Sequence, residues 1–146
     1  MSNISLRSIA RIQAMKILYI ADMNDISVEN ALVMAKTGIL DQDGLNENKE
    51  IEKETEEFLN FVVLNLDDID NCIKNTLVNY TIDRLNAVDK AIIRVATAEL
   101  IEGKLDKKII INEALEITKL YSDNGTHKAV AFNNRLLDNI SLSLKK

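Results

Sequence analysis

The fold of this chain is decided by residues 84–121, which read RLNAVDKAIIRVATAELIEGKLDKKIIINEALEITKLY. Asn86 is a favourable helix N-cap, and Asp89, three residues later, would face the positive end of the helix dipole. The apolar residues that follow cover an arc of roughly 200° on a helical wheel, which is too wide for a surface helix. Gly103 is placed to end this helix and Asp106 to cap the next. The stretch therefore predicts a central helix, packed on by several others, and a second helix after it.

The composition is typical of a globular helical protein. The 146 residues are 47% apolar and 28% charged, which suffices for one domain with a real core. There is no proline, and the four glycines fall where loops or helix ends are expected, so an all-α fold is favoured. No apolar run reaches about 18 residues and the N-terminus has no secretory pattern, so we expect a cytoplasmic protein without a membrane span. The single cysteine, Cys72, is predicted to be an ordinary core residue.

Apolar residues at three- and four-residue spacing predict the helices that precede the central one. A first helix is expected over about 5–22, and Ser27 is expected to cap a short second helix that ends near Gly38. The segment DQDGLNEN at 41–48 is typical of a loop. A helical pattern then runs from about 49 to 80. As one helix it would be some 45 Å long, unusual for a small domain, so a bend near Asp67–Asp68 is the alternative.

The last helix is expected after the turn SDNG at 122–125, with Thr126 as its cap. Its apolar residues at helical spacing are predicted to be buried: Phe132, Leu136, Leu137 and Ile140. Together these elements predict an all-α domain of six to seven helices.

Charge is distributed unevenly along the chain. The net charge is −5, yet residues 22–70 hold fourteen acidic against three basic residues. Residues 1–21 hold Arg7, Arg11 and Lys16 and no acid, and residues 71–146 hold twelve basic against nine acidic residues. Because charges beyond about 10 Å are screened in salt, a local basic patch attracts phosphate whatever the total charge. An RNA-facing surface is therefore compatible with an acidic protein.

The residues that enzymes use are sparse. The chain has one histidine, His127, and one cysteine, and no metal-ligand spacing or glycine-rich phosphate loop. We therefore expect no catalysis, no metal and no cofactor. Glu99 is unusual because it falls within the apolar arc of the central helix, where a carboxylate must be hydrogen-bonded or paired. A structural tie is the favoured interpretation of Glu99.

Four blocks of the chain carry a resemblance to a known family. They read ARIQAMKILYIADMND, VDKAIIRVATAEL, INEALEITKLYS and FNNRLLDNI. In this order they resemble NusB, a bacterial transcription antitermination factor. The resemblance implies a compact NusB-like bundle, one domain over 1–146, with helical halves of about 1–80 and 81–146. It also implies binding of the single-stranded boxA element of nascent RNA together with NusE, a small-subunit ribosomal protein, within the RNA polymerase antitermination complex.

The resemblance and the residue types together indicate roles for particular residues, and Arg7 and Arg11 align with arginines of the family's basic N-terminal segment. Arg7, Arg11 and Lys16 on the first helix would contact RNA phosphates, because Arg and Lys neutralise phosphate and release counterions. Tyr19, in the Leu-Tyr pair of the first helix, is the aromatic candidate for base stacking, and Lys128 is a candidate for an adjoining phosphate contact. Asp89 corresponds to an acidic position near the partner-binding side of the family, and its role as an acid in the first helical turn is an equally good interpretation.

Other interpretations stay open at the level of sequence. Three basic residues on an amphipathic helix are often its solvated face, and Tyr19 is equally suited to ordinary packing. A NusB-like domain also occurs in ribosomal RNA cytosine methyltransferases, so a detached module of such an enzyme is one alternative. A helical protein-interaction module without RNA binding is another, and some NusB proteins form homodimers. Arg135, which stands where the family usually has glycine, is expected to need a route to solvent.

Overall fold

The computed structural model describes residues 6–37, 51–78 and 81–144. Over these ranges the chain forms seven α-helices, one short 3-10 helix at Ile82–Arg84 and no strand, so the predicted all-α class and helix number are confirmed. The helices are α1 (Leu6–Asn24), α2 (Val28–Lys36), α3 (Lys53–Leu64), α4 (Leu66–Thr76), α5 (Ala87–Glu102), α6 (Lys107–Tyr121) and α7 (Lys128–Leu144). Among them, no helix is long and apolar enough to span a bilayer.

The chain divides into two compact units, Met1–Leu64 and Asn65–Lys146. The division lies between α3 and α4, earlier than the position near residue 80 suggested by the sequence. The reason is that α4 packs against α5 and α7 of the second unit. The helical pattern between 49 and 80 therefore contributes to two hydrophobic cores, α3 to that of the first unit and α4 to that of the second.

The pattern forms two helices, so the interpretation with an interruption is the one that the structure supports. Asn65 has φ −115° and ψ 16°, outside the α-helical region, and it separates α3 from α4. The expected bend at 67–68 lies two to three residues after the observed break. Three of the expectations fall on residues outside the described ranges: the helix end near Gly38, the predicted loop at 41–48 and the pattern's last residue, Tyr80. Apolar periodicity did not reveal the break because the spacing of three and four residues continues across it.

In the first unit, α1 packs against α2 and α3. Ser27 caps α2 as predicted, since its hydroxyl accepts a hydrogen bond from the Asn30 backbone N–H at 3.0 Å. The apolar face of α1 is buried through Ala14, Ile17 and Leu18. Met1–Leu64 is thus built around α1.

In the second unit, α5 packs against α4, α6 and α7, as the wide apolar arc predicted. Asn86 accepts from the backbone N–H groups of Val88 and Asp89, and Gly103 ends the helix in the left-handed conformation at φ 74°. Asp106 accepts from the Lys108 backbone N–H and caps α6. All three terminal signals are confirmed, and Glu99 is 2% exposed within the core.

A two-point ion pair joins α4 to α5. Arg94 donates from Nε and Nη2 to the two carboxylate oxygens of Asp70, both at 2.9 Å, and the side chains are only 16% and 21% exposed. Asp70→Asn is expected to lower the free energy of unfolding by about 1–2 kcal/mol, because charge-assisted bonds shielded from water are stronger than exposed ones. Urea denaturation would measure it beside Asp138→Asn, which removes an exposed carboxylate from α7. Equal midpoints for the two variants would contradict the expectation.

The start of α7 differs from the prediction by one residue. The Thr126 hydroxyl accepts from the Lys128 backbone N–H at 3.3 Å, but His127 precedes the helix with φ 64°. Phe132 is only half-buried, whereas the other three predicted core residues of α7 are fully buried. The benzyl group therefore remains partly available at the surface.

Two further expectations concern the exposure of single side chains, Cys72 on α4 and Arg135 on α7. Cys72 was predicted to be core but is partly exposed, and both burial and the neighbouring Asp68 carboxylate raise the pKa of its thiol. Arg135 has the expected route to solvent, because it is exposed on α7.

Candidate nucleic-acid interface

Arg7, near the start of α1, is held against α3. Its Nη1 donates to Glu54 Oε2 at 3.0 Å, and its guanidinium carbon lies 5.1 Å from the centre of the Phe58 ring. Glu54 and Phe58 are four residues apart and so share one face of α3. The Arg7 side chain is 27% exposed, which leaves part of the guanidinium accessible to a ligand.

A buried hydrogen-bond cluster fixes this geometry. Gln13 on α1 is 1% exposed, and its side-chain oxygen accepts from the Thr55 hydroxyl at 2.6 Å and from the Glu52 backbone N–H at 3.0 Å. Thr55 is fully buried next to Glu54 in sequence. The first turn of α3 is therefore locked onto α1, and Glu54 is held within reach of Arg7.

The other basic residues of α1 are buried. Arg11 is 5% and Lys16 is 3% exposed, and both have interaction partners within the protein. One turn of helix separates Arg7 from Arg11, yet only Arg7 reaches the surface. Tyr19 is half-buried, which fits packing and partial access alike. Burial of Arg11 and Lys16 argues against direct phosphate contact by these two side chains.

Lys128 is exposed beside a groove of about 540 Å³ in the second unit, called here the Lys128 groove. Its lining includes Arg84, Asn86, Asp89, Asn124, Lys128 and Phe132. The two basic side chains, Arg84 and Lys128, favour an anion, while the Asp89 carboxylate in the same lining is hydrogen-bonded to Ser122 and Asn133. The half-buried Phe132 ring, one helical turn beyond Lys128, adds an aromatic surface.

Asp89 is engaged inside the protein. Its Oδ1 accepts from the Ser122 hydroxyl at 2.5 Å and from the Asn133 side-chain amide at 3.1 Å. The same amide donates to the Thr118 hydroxyl at 3.1 Å, and Asn133 and Thr118 are fully buried. Asp89 thus joins the start of α5 to the end of α6 and to α7. Asp89 therefore has a structural role, and its contact to a partner stays a prediction.

Sequence reasoning missed several residues of these two surfaces. Phe132 shares a face with Lys128 because the two are four residues apart, and this spacing was available in the sequence. Glu54 gave no such signal because its partner, Arg7, is 47 residues away in the chain. Arg84 gave none because it lies in a short 3-10 helix, outside any regular α-helical pattern. Among the described residues, no group of three or more His, Cys, Asp or Glu is arranged to hold a metal ion.

The model of the NusB family matches residues 8–142. The chain belongs to the NusB family. The transcription antitermination protein NusB of Bacillus subtilis strain 168 is 31% identical over 141 residues, which cover 96% of this chain and 98% of that protein. The NusB of Staphylococcus epidermidis RP62A is also 31% identical, over 92% of this chain and 98% of that one. The NusB of Clostridium botulinum Alaska E43 is 47% identical over 77 residues, and the chain spans only 56% of its length.

Solved NusB structures share the fold. NusB of T. maritima superposes with a TM-score of 0.72 at 27% identity, over 94% of this chain and 92% of that chain. A crystal structure of the antitermination factors NusB and NusE in complex with double-stranded RNA superposes with a TM-score of 0.74 at 25% identity, over 94% and 96% of the two chains. The resemblance drawn from the four sequence blocks is confirmed at the level of family and fold.

Proposed function

We propose that this chain is a transcription antitermination factor that binds RNA together with NusE. The observation that carries the proposal is its likeness, over 94% of the chain, to a structure of NusB and NusE with RNA. The antitermination proteins of Bacillus and Staphylococcus, which match almost from end to end, support the same role. The protein acts without catalysis in the cytoplasm, on a boxA-type single-stranded leader, and supports ribosomal RNA transcription as part of the RNA polymerase antitermination complex.

Within this proposal RNA is contacted at two surfaces, each considered by itself. On α1, Arg7 supplies a partly exposed guanidinium and Tyr19 a partly exposed ring. In the Lys128 groove, Lys128 and Arg84 supply positive charge, and Phe132 offers a ring on which a base stacks. Arg11 and Lys16 have a structural role in this proposal, because both side chains are buried and have partners within the protein.

The proposed protein partner is NusE. Asp89 is the proposed contact to a basic residue of NusE, in addition to its bonds with Ser122 and Asn133 inside the protein. A homodimer that hides the RNA-binding face is the competing state, and size-exclusion chromatography with light scattering distinguishes it from a monomer.

Lys128→Ala is expected to weaken RNA binding about fivefold at 0.1 M salt, because one phosphate contact to a single strand is lost with its counterion release. Fluorescence anisotropy with a labelled single-stranded boxA RNA, with and without NusE, measures this. The slope of log affinity against log salt should fall by about 0.7. Lys74→Ala removes an equal charge from an exposed position on α4 and serves as the control.

Two results would contradict the proposal. Equal effects of Lys128→Ala and Lys74→Ala would remove the Lys128 groove from the RNA-binding surface. Failure of the well-folded wild-type protein to bind RNA in either condition would leave a helical protein-interaction module with the NusB fold.

A further inference from the structure

The contact between Arg7 and Glu54 bears on how strongly the protein binds RNA. Arg7 is the basic side chain of α1 that reaches the surface, and a carboxylate already occupies its Nη1 at 3.0 Å. A carboxylate and a phosphate present the same kind of acceptor oxygens to a guanidinium. A phosphate that approaches Arg7 therefore meets a site at which an acceptor is built into the protein.

We propose that Glu54 sets the RNA affinity of this protein by competing with phosphate for the Arg7 guanidinium. The inference rests on the proposed function, because it assumes that Arg7 meets RNA. Glu54 lies in the acidic first turn of α3. In this proposal its carboxylate occupies the position on Arg7 that an RNA phosphate would otherwise take. Lys36 pairs with Glu56 at 3.1 Å, so the two neighbouring acids of this turn engage different cations.

The geometry favours exchange over a permanent lock. Both side chains are about one-third exposed or less, at 27% for Arg7 and 34% for Glu54, so water and salt reach the pair and weaken it. The Phe58 ring lies beneath the guanidinium and is itself buried, so it stays in place when the acceptor changes. The Gln13–Thr55 bond keeps the start of α3 fixed throughout. Arg7 is thereby held in position while its partner is exchanged.

The test compares Glu54→Gln with Glu57→Gln. Both remove one negative charge from α3. Glu57 is exposed and lies one helical turn from Glu54, but the ion pair with Arg7 is made by Glu54, so Glu57→Gln controls for the general gain in attraction to RNA. Anisotropy with the same labelled single-stranded boxA RNA is run on the full chain at two salt concentrations. Glu54→Gln is expected to bind about two- to fivefold more tightly than Glu57→Gln at low salt, the range set by a partly exposed ion pair. The advantage should shrink at high salt.

A double-variant cycle shows whether Glu54 acts through Arg7. In an Arg7→Ala background the gain from Glu54→Gln should disappear. Thermal melts of each variant confirm that the measurements are made on folded protein. Equal affinities of Glu54→Gln and Glu57→Gln, or a gain that persists without Arg7, would overturn the inference and leave the proposed function standing. Loss of RNA binding by the wild-type protein itself would overturn the proposed function and the inference together.

Discussion

Replacing Asn133 by aspartate is expected to lower the free energy of unfolding by about 3–5 kcal/mol at neutral pH. Asn133 is fully buried, and its amide nitrogen donates to the Asp89 carboxylate at 3.1 Å and to the Thr118 hydroxyl at 3.1 Å. The substitution keeps the shape of the side chain but turns a donor into a second negative charge beside Asp89. Two carboxylates at this distance, shielded from water, repel each other strongly.

The pH dependence of this variant gives a second readout. Burial and the neighbouring carboxylate raise the pKa of the introduced carboxyl in the folded state above its value in the unfolded chain. The folded state then binds the extra proton more readily, so the loss of stability is largest near neutral pH and shrinks steadily as the pH falls toward about 4, the usual pKa of an aspartate carboxyl. Urea denaturation between pH 4 and 7 measures this.

Asn134→Asp is the matched control, because Asn134 is the next residue on α7 and is exposed. It introduces the same charge into water and should change stability by less than about 0.5 kcal/mol. Similar losses for the two variants would show that the bonds between Asn133, Asp89 and Thr118 do not hold α5, α6 and α7 together.

Glu99→Ala is expected to cost about 3 kcal/mol of stability without a selective effect on RNA binding. Glu99 is 2% exposed in α5 and has an interaction partner in the folded protein. Removing the carboxylate leaves that partner unsatisfied and opens a cavity in the core, and each of these effects destabilises the fold. Thermal melts report the loss of stability, and RNA anisotropy well below the melting temperature reports affinity.

Glu116→Ala provides the comparison, since Glu116 is exposed on α6 and pairs with Lys119 three residues later. Such a surface pair contributes less than about 1 kcal/mol, so this variant should melt close to the wild type. Normal stability of Glu99→Ala combined with lost RNA affinity would contradict the structural interpretation and place Glu99 in the functional surface.

Much of the second unit could be predicted from the sequence, because its signals are local. The Asn86 cap, the left-handed Gly103 and the Asp106 cap depend only on backbone groups within one helical turn. The wide apolar arc of α5 was enough to place that helix at the centre. The ordered blocks of the NusB family likewise lie in the chain itself.

The tertiary structure alone decided which polar residues are functional surface and which are core. Arg7 and Arg11 are one turn apart on α1 and look alike in sequence, yet packing buries Arg11 and leaves Arg7 partly exposed over Phe58. Asn133 looked like an ordinary residue of α7 and proved to be a fully buried hydrogen-bond donor.

The same limit explains the break at Asn65, where apolar spacing continues although the helix stops and the following segment joins another core. Local sequence fixes caps and periodicity, since these depend on neighbours within a few residues. Burial, ion-pair partners and the availability of a charge depend on side chains brought together from far along the chain, such as Glu54 against Arg7. Tertiary packing sets those pairings, and it therefore determines which basic side chains are accessible to RNA.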